Sequence, residues 1–511
     1  MLLADVVATS VAVSATRSRS AKASMLAALL GRTAAESPED IATVTSYLAG
    51  ALRQRRTGLG WRSLQDVPPP AAAPSLTVSQ VHESFEQLAA LAGTGSQQAR
   101  RAATTRLMAQ ATADEQRWLR GIVTGEVRQG ALDSLVQDAL AIAGGVPAAS
   151  VRRAAMMAGS TVDIAPAALT GGEEALAAFT LAVGRPVLPM LASTAPTIEA
   201  AMTKAGGGVV AVDTKLDGVR IQVHRNGDDV RVVTRSLDDV TSRHPEVVAA
   251  ARALACDTVV LDGEVLALGP DGRPRPFQET ASRAASATGV ELTPAFFDLL
   301  HLDGRDLVDA PTSERLAALE SVVPERFRVR RLLTSDVAAA EAFAESVLGL
   351  GHEGVVVKSL AAPYAAGRRG ATWVKVKPVH TLDLVVLAVE RGSGRRSGWL
   401  SNIHLGARDG DGFVMLGKTF KGMTDEMLAR QTERFRELQV ADDGYVVTVR
   451  PEQVVEVAFD GVQRSTRYPG GVALRFARVV RYRDDKTPAE ADTLDTVRGY
   501  LGPSEPAGDA S

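Results

Sequence analysis

Apolar residues recur every three or four positions through residues 1–183, the spacing of helices that bury one face. Ala, Leu, Arg and Gln dominate there, and β-branched alternation is rare. The opening MLLADVVATSVAVSATRSRS reads as an amphipathic helix. Asp5 interrupts its apolar run and no basic residue precedes it, which argues against an export signal. TADEQRWLRGIV sets Thr112 three residues before Glu115, a capping box that predicts a helix start. The rhythm changes at GRPVLPMLASTAP (184–196), where Pro and Gly suggest a linker. From 209 to 378 the runs VVAVDT, VRIQVHR, VRVVTRS, TVVLDGEVLAL, EGVVVKS and TWVKVKP alternate with a period of two. That period predicts strands, with helices between some of them. After Pro378 the chain is again β-rich, with DLVVLAVERG, GFVMLGKTF and QVVEVAFDGVQ. The small, polar GPSEPAGDAS predicts a disordered tail over 502–511. No apolar run is long enough to cross a bilayer.

Composition changes this picture in three places. A chain of 511 residues is too long for one core, so two to four domains are expected. The single cysteine, Cys256, excludes a disulfide framework and a Cys-rich zinc site and makes a reducing, cytoplasmic setting the simplest expectation. The net charge of −3 gives no bulk attraction to nucleic acid, so any such binding must use a local basic face.

Lysine usage is the sharpest signal. Only nine of the 57 basic residues are lysine, so positions that need merely a positive charge carry Arg. Arg stays protonated, whereas Lys can lose its proton and act as a nucleophile. Lys215, in DTKLDGVRIQVHR, is therefore a candidate for an amine the chemistry requires. Lys375 and Lys377 are two apart and would project from one strand face, a plausible cradle for phosphate oxygens. Asp262 and Glu264 share a face by the same rule, as would Lys215 and Asp217 if the chain is extended there. Glu353 stands at the mouth of the apolar EGVVVK run. Acids that hold Mg²⁺ beside cations that hold phosphate would suit a metal-bound polyphosphate. The bland alternative for each pair is a solvated strand face.

Taken in order, KLDGVR (215–220), TRS (234–236), VLDGE (260–264), FFDLL (296–300), EGVVVK (353–358) and WVKVKP (373–378) resemble the nucleotidyltransferase motifs of ATP-dependent DNA ligases. LRFARVVRYRDDK (474–486) resembles the final motif of that family, with Ala477 where many members carry proline. PVLPMLA (186–192) resembles the entry to its catalytic domain, and TGEVRQGALDSLVQDALA (124–141) its helical DNA-binding domain. The resemblance implies a multidomain chain: an all-α DNA-binding domain (1–184), an α+β adenylation domain (185–378) and an all-β OB-fold domain (379–501). It also implies a mechanism. Lys215 attacks the α-phosphate of ATP and forms lysyl–AMP; AMP passes to the 5′-phosphate of a nick; the 3′-hydroxyl displaces it.

The resemblance further implies roles by position. Asp213 would lie at the adenine, and Phe297 would stack on it, with core packing as the alternative. Arg220 would reach ribose or phosphate, and Arg235 the ribose and the nick phosphate. Glu264 would hold the ribose and assist with metal, and Glu353 would be the leading ligand of Mg²⁺, for which Mn²⁺ can substitute. Arg369 would sit near the nucleotide. Lys375 and Lys377 would meet the α-phosphate, and Asp217 would assist sealing. The expected partners are ATP and nicked duplex DNA, bound by a monomer.

Three further expectations follow. GFVMLGKT (412–419) fits the phosphate-loop pattern, yet its interior is Phe-Val-Met-Leu, so a β-hairpin is expected, with Lys418 and Lys421 free to meet DNA. ERGSGRRSGW (390–399) reads as a basic loop, and the hinge between the second and third domains is expected near 378–383. RNA ligases and capping enzymes share the motif core, but the helical region argues against them. A non-catalytic nick-binding protein is the rival of another class.

Overall fold

The computed structural model describes residues 1–127, 133–286, 288–366, 369–393 and 396–501. The expected tail at 502–511 and part of the basic loop at 390–399 lie outside the described residues, as does the side chain of Arg369.

The N-terminal region is helical, as its periodicity predicts. In the helix Leu3–Ala15, residues Leu3, Val6, Val7, Ser10 and Val13 are buried at helical spacing. Asp5 lies off that face and meets Arg32 at 3.2 Å. The capping box forms at the helix Ala113–Thr124. The Thr112 N–H donates to Glu115 Oε2 at 2.8 Å, and the Glu115 N–H donates to Thr112 Oγ1 at 3.4 Å. No helix among the described residues is long and apolar enough to cross a membrane.

Residues 184–196 differ from a free tether. The Gln222 side chain clamps Val187, accepting from its N–H at 2.9 Å and donating to its carbonyl at 3.3 Å. The Gly184 N–H donates to His224 Nδ1 at 3.1 Å. Strand β1 (Leu191–Thr194) then pairs in parallel with β10 (Arg369–Val376). Proline and glycine predict a linker, but the segment is anchored by side chains that local composition does not show.

Two five-stranded sheets follow. One has the order β1-β10-β9-β2-β8, with β2 Val210–Lys215, β8 Arg331–Thr334 and β9 Gly354–Ser359. The other has the order β4-β3-β5-β6-β7: β3 Val219–Asn226, β4 Asp229–Thr234, β5 Thr258–Ala267, β6 Leu292–Leu302, β7 Arg305–Asp306. All six predicted runs are strands. A hydrophobic cluster containing Met156, Met157, Val187, Met190, Tyr364 and Trp373 joins the helical region to these sheets.

The C-terminal part is β-rich. Strands β11 (His380–Arg391), β12 (Leu400–Asp409), β13 (Gly412–Thr419), β14 (Gln439–Asp442), β15 (Val446–Val449), β16 (Val454–Phe459) and β19 (Arg478–Tyr482) form one sheet. Strands β17 (Gly461–Arg464) and β18 (Val472–Arg475) pair separately. The connection from β10 to β11 is only Lys377–Val379, because residues 380–383 already belong to β11. The expected hinge is correspondingly shorter.

The phosphate-loop look-alike is the β12–β13 hairpin, with Asp409 opposite Gly412 and Gly410 at φ 56°, where glycine is favoured. Lys418 does not stand free for DNA: it pairs with Glu390, which is 5% exposed and also accepts from Asn402 Nδ2 at 2.6 Å. Lys418→Ala is expected to leave ATP labelling within about twofold of wild type. It should also lower stability by about 1–3 kcal/mol, because it strips a donor from a buried carboxylate. Chemical denaturation alongside labelling checks both.

Candidate functional site

Residues of both five-stranded sheets line an open cavity of about 630 Å³. Its lining includes Asp213, Lys215, Arg220, Arg235, Glu264, Phe297 and Lys375, so seven of the expected residues converge from both sheets. Residues two apart on a strand supply the same face, which brings Asp213 and Lys215 of β2 to one wall.

The floor is aromatic and closed by ion pairs. Phe297 meets Trp373 edge-on, with centroids 5.8 Å apart. Lys358 is 2% exposed, lies over both rings at 4.7 and 4.2 Å, and pairs with Asp213 at 2.7 Å. Arg331 also holds Asp213, with contacts of 2.5 and 2.9 Å. Burial would push the Asp213 carboxyl up, but Lys358 and Arg331 outweigh it and hold the group below the usual carboxylate range. The carboxylate is thus consumed by cations.

One wall carries Glu264 and Arg220, opposite each other on β5 and β3. Asp262 takes Arg220 in a two-point contact of 2.9 and 2.6 Å. Glu264 accepts one backbone donor, the Gly218 N–H, at 3.1 Å. Burial pushes its carboxyl up to about 7, with Lys215, Gly218 and Arg220 opposing and Asp217 reinforcing. A Cβ on Gly218 would come within 2.5 Å of the Val265 carbonyl oxygen, so glycine is required where this loop meets β5.

The rim is a chain of alternating charge. Lys215 pairs with Glu353, and Lys377 donates to Glu353 Oε1 at 2.9 Å. Lys377 also pairs with Asp460, which meets Arg478 at 3.3 Å. Burial would raise the Glu353 carboxyl, but Lys215 and Lys377 draw it below its ordinary range. Lys377 is shifted the other way: burial would lower it, and Asp460 and Glu353 raise it.

Two expected groupings differ from simple strand logic. Strand β2 ends at Lys215, so Asp217 lies beyond it in the segment leading to β3, and the two do not share a strand face. Asp217 instead accepts from Arg475 at 2.5 and 3.1 Å. Strand β10 ends at Val376, so Lys375 lines the cavity while Lys377 reaches the rim pairs. Arg331, Lys358, Trp373 and Asp460 were not singled out as site residues. Arg331 and Asp460 carry no local signal, whereas Lys358 and Trp373 stand inside the quoted motifs.

This arrangement brings an amine, acids and cations together around an aromatic-floored cavity. Residues 62–141, 189–377 and 396–486 match the descriptions DNA ligase N terminus, ATP dependent DNA ligase domain and ATP dependent DNA ligase C terminal region. The chain is 68% identical over 98% of its length to a probable DNA ligase of Nocardioides sp., covering 99% of that protein. It is 66% identical over 97% of its length to one of Kineococcus radiotolerans, also covering 99% of that protein. A solved structure named Pmar-Lig_PreS3 shares the fold, with a TM-score of 0.62 at 17% identity, over 94% of this chain and 99% of that one. The chain belongs to the ATP-dependent DNA ligase family.

Proposed function

We propose that the protein seals nicks in duplex DNA by way of lysyl–AMP and DNA–adenylate, as a monomer, in a cytoplasmic setting. The observation that carries this is the position of Lys215, which lines the cavity together with Glu264 and Lys375 and is in contact with Glu353. The division into helical, adenylation and OB-fold domains is supported at 184 by the change from helices to strands and at 378 by the change of sheet between β10 and β11.

In the first step the Lys215 amine bonds to the α-phosphorus of ATP and pyrophosphate leaves. Glu353, already in contact with that amine, orients it, and the proton of the attacking nitrogen goes to solvent. Phe297 and Trp373 offer the base an apolar floor, and Lys375 faces the phosphate. AMP then moves to the 5′-phosphate of the nick, where exposed Arg235 at the cavity rim suits a phosphate contact. The 3′-hydroxyl finally attacks and AMP leaves.

Mg²⁺ fits this donor set. Among the described residues no cluster of three or more His, Cys, Asp or Glu could hold an ion alone. Mg²⁺ favours one or two carboxylates plus phosphates and water, which Glu264 and Glu353 could provide. Glu264, with one backbone donor and a raised pKa, is the less satisfied of the two. When bound, the ion would neutralise phosphate charge during transfer.

Sealing of a nicked duplex with ATP, GTP or NAD tests the reading. Joining with ATP alone is expected; joining that needs NAD, or none at all, would overturn it. Arg475 reaches Asp217 from the C-terminal domain, so that domain is held against the segment that follows Lys215. Arg475→Ala is expected to slow self-adenylation about tenfold, while proteolysis of the Lys377–Val379 connection accelerates. Gel-based labelling and limited proteolysis measure the two effects.

A further inference from the structure

We infer that Tyr364 is a positioning residue for nucleotide transfer: its hydroxyl fixes Arg220 through Asp262 and ties that arginine to the segment entering β1. The inference rests on the cavity being the ATP site.

Tyr364 is 1% exposed and does not line the cavity. Its hydroxyl has one proton to give. It donates to Asp262 Oδ2 at 2.7 Å and accepts from the Met190 N–H at 2.9 Å. Arg220 Nη1 donates to the carbonyl of the same Met190 at 2.6 Å. Both polar groups of one residue are thus used, the N–H by Tyr364 and the carbonyl by Arg220. Asp262, 1% exposed, presents Oδ1 to Arg220 Nε and Oδ2 to Arg220 Nη2. Tyr364 shares Oδ2 with Arg220 and accepts from Arg220 Nη2 at 3.4 Å, which keeps the carboxylate in line with the guanidinium fork.

The alternative is an ordinary buried tyrosine with a satisfied hydroxyl. Two observations weigh against it. First, the partners are one charged pair whose other end lines the cavity. Second, the loop carrying Tyr364 is held unusually firmly. The Ala362 carbonyl accepts from the Thr312 N–H at 2.9 Å, Thr312 Oγ1 at 3.0 Å and Arg315 Nη1 at 3.1 Å. Arg315 is itself in a fully buried pair with Asp298. The Tyr364 ring meets Trp373 of the cavity floor edge-on at 5.9 Å. A rigid support for a group that must meet phosphate or ribose is what positioned catalysis requires.

Self-adenylation of the full-length protein with labelled ATP tests this, using Tyr364→Phe, Arg220→Lys and the double variant. Tyr364→Phe is expected to raise the KM for ATP about tenfold, the scale of one hydrogen bond to a charged group, and to leave the rate at saturating ATP within about threefold. The double variant should be no worse than Arg220→Lys, because Tyr364 acts through that arginine. A wild-type KM in Tyr364→Phe while Arg220→Lys is impaired overturns the inference and leaves the ATP site standing. So do effects that multiply in the double variant. A silent Arg220→Lys removes the ATP-site reading and the inference together. Should Tyr364→Phe melt early, labelling is measured below its melting temperature: the same rise in KM supports the inference, and an unchanged KM overturns it.

Discussion

Lys215→Arg is expected to abolish covalent labelling by ATP, by about 10⁴-fold or more, while the protein stays folded. The substitution keeps the positive charge, and a guanidinium can still reach Glu353, so the rim pairs that join Glu353 to Lys377 and Asp460 survive. What it removes is an amine, which can act as a nucleophile where a guanidinium cannot. Nick sealing with ATP falls with the labelling. Sealing of a nick that already carries 5′-AMP forms no bond to residue 215, so it should persist within about tenfold of wild type. Labelled ATP followed by denaturing electrophoresis reads the first effect, and a pre-adenylated nicked duplex the second. Retention of label in Lys215→Arg would place the nucleophile elsewhere and remove the basis of the proposed mechanism.

That lysine was legible because the chain writes Arg almost everywhere else. The strands around it were legible for another reason, since burial on a strand imposes a period of two that VVAVDT and TVVLDGEVLAL display openly. Pairings across long sequence distance were not legible. Asp217 meets Arg475, 258 residues away, and nothing local to either residue indicates it. Lys418 shows the same limit from another side. Strand alternation says that a charged residue occupies a face, but not whether that face holds a buried acid such as Glu390. Tyr364 lies in a loop after Pro363, where no periodicity applies, and its role emerges only once Met190 and Asp262 are brought beside it. Local chemistry was therefore readable wherever a strand or a rare residue type exposed it. The ion pairs that seat the C-terminal domain needed the fold.

Glu264→Gln is expected to stabilise the protein at about pH 8 and to lower ATP labelling about 100-fold or more. Burial holds this carboxyl up at about 7 in the folded chain, while in the unfolded chain it returns to the ordinary range near 4.5. Below that range both states carry the proton and the group contributes no difference. Between the two values the folded state binds more protons than the unfolded one, so stability falls as pH rises and levels off above about 7. Above that point ionised Glu264 opposes folding, by about 1–3 kcal/mol given its partial contact with solvent. Glutamine relieves this and can still accept from the Gly218 N–H. The variant should therefore melt higher than wild type at about pH 8 and together with it at about pH 4. Function runs the opposite way. The ionised form is the one that can hold ribose hydroxyls or a cation, so wild-type labelling should rise as pH passes through about 7. A carboxylate retained where its charge weakens the fold is explained by a bound group that compensates it. Superimposable melting curves for the two proteins at both pH values would show that Glu264 carries no such burden, and the argument for a cation beside it would fail.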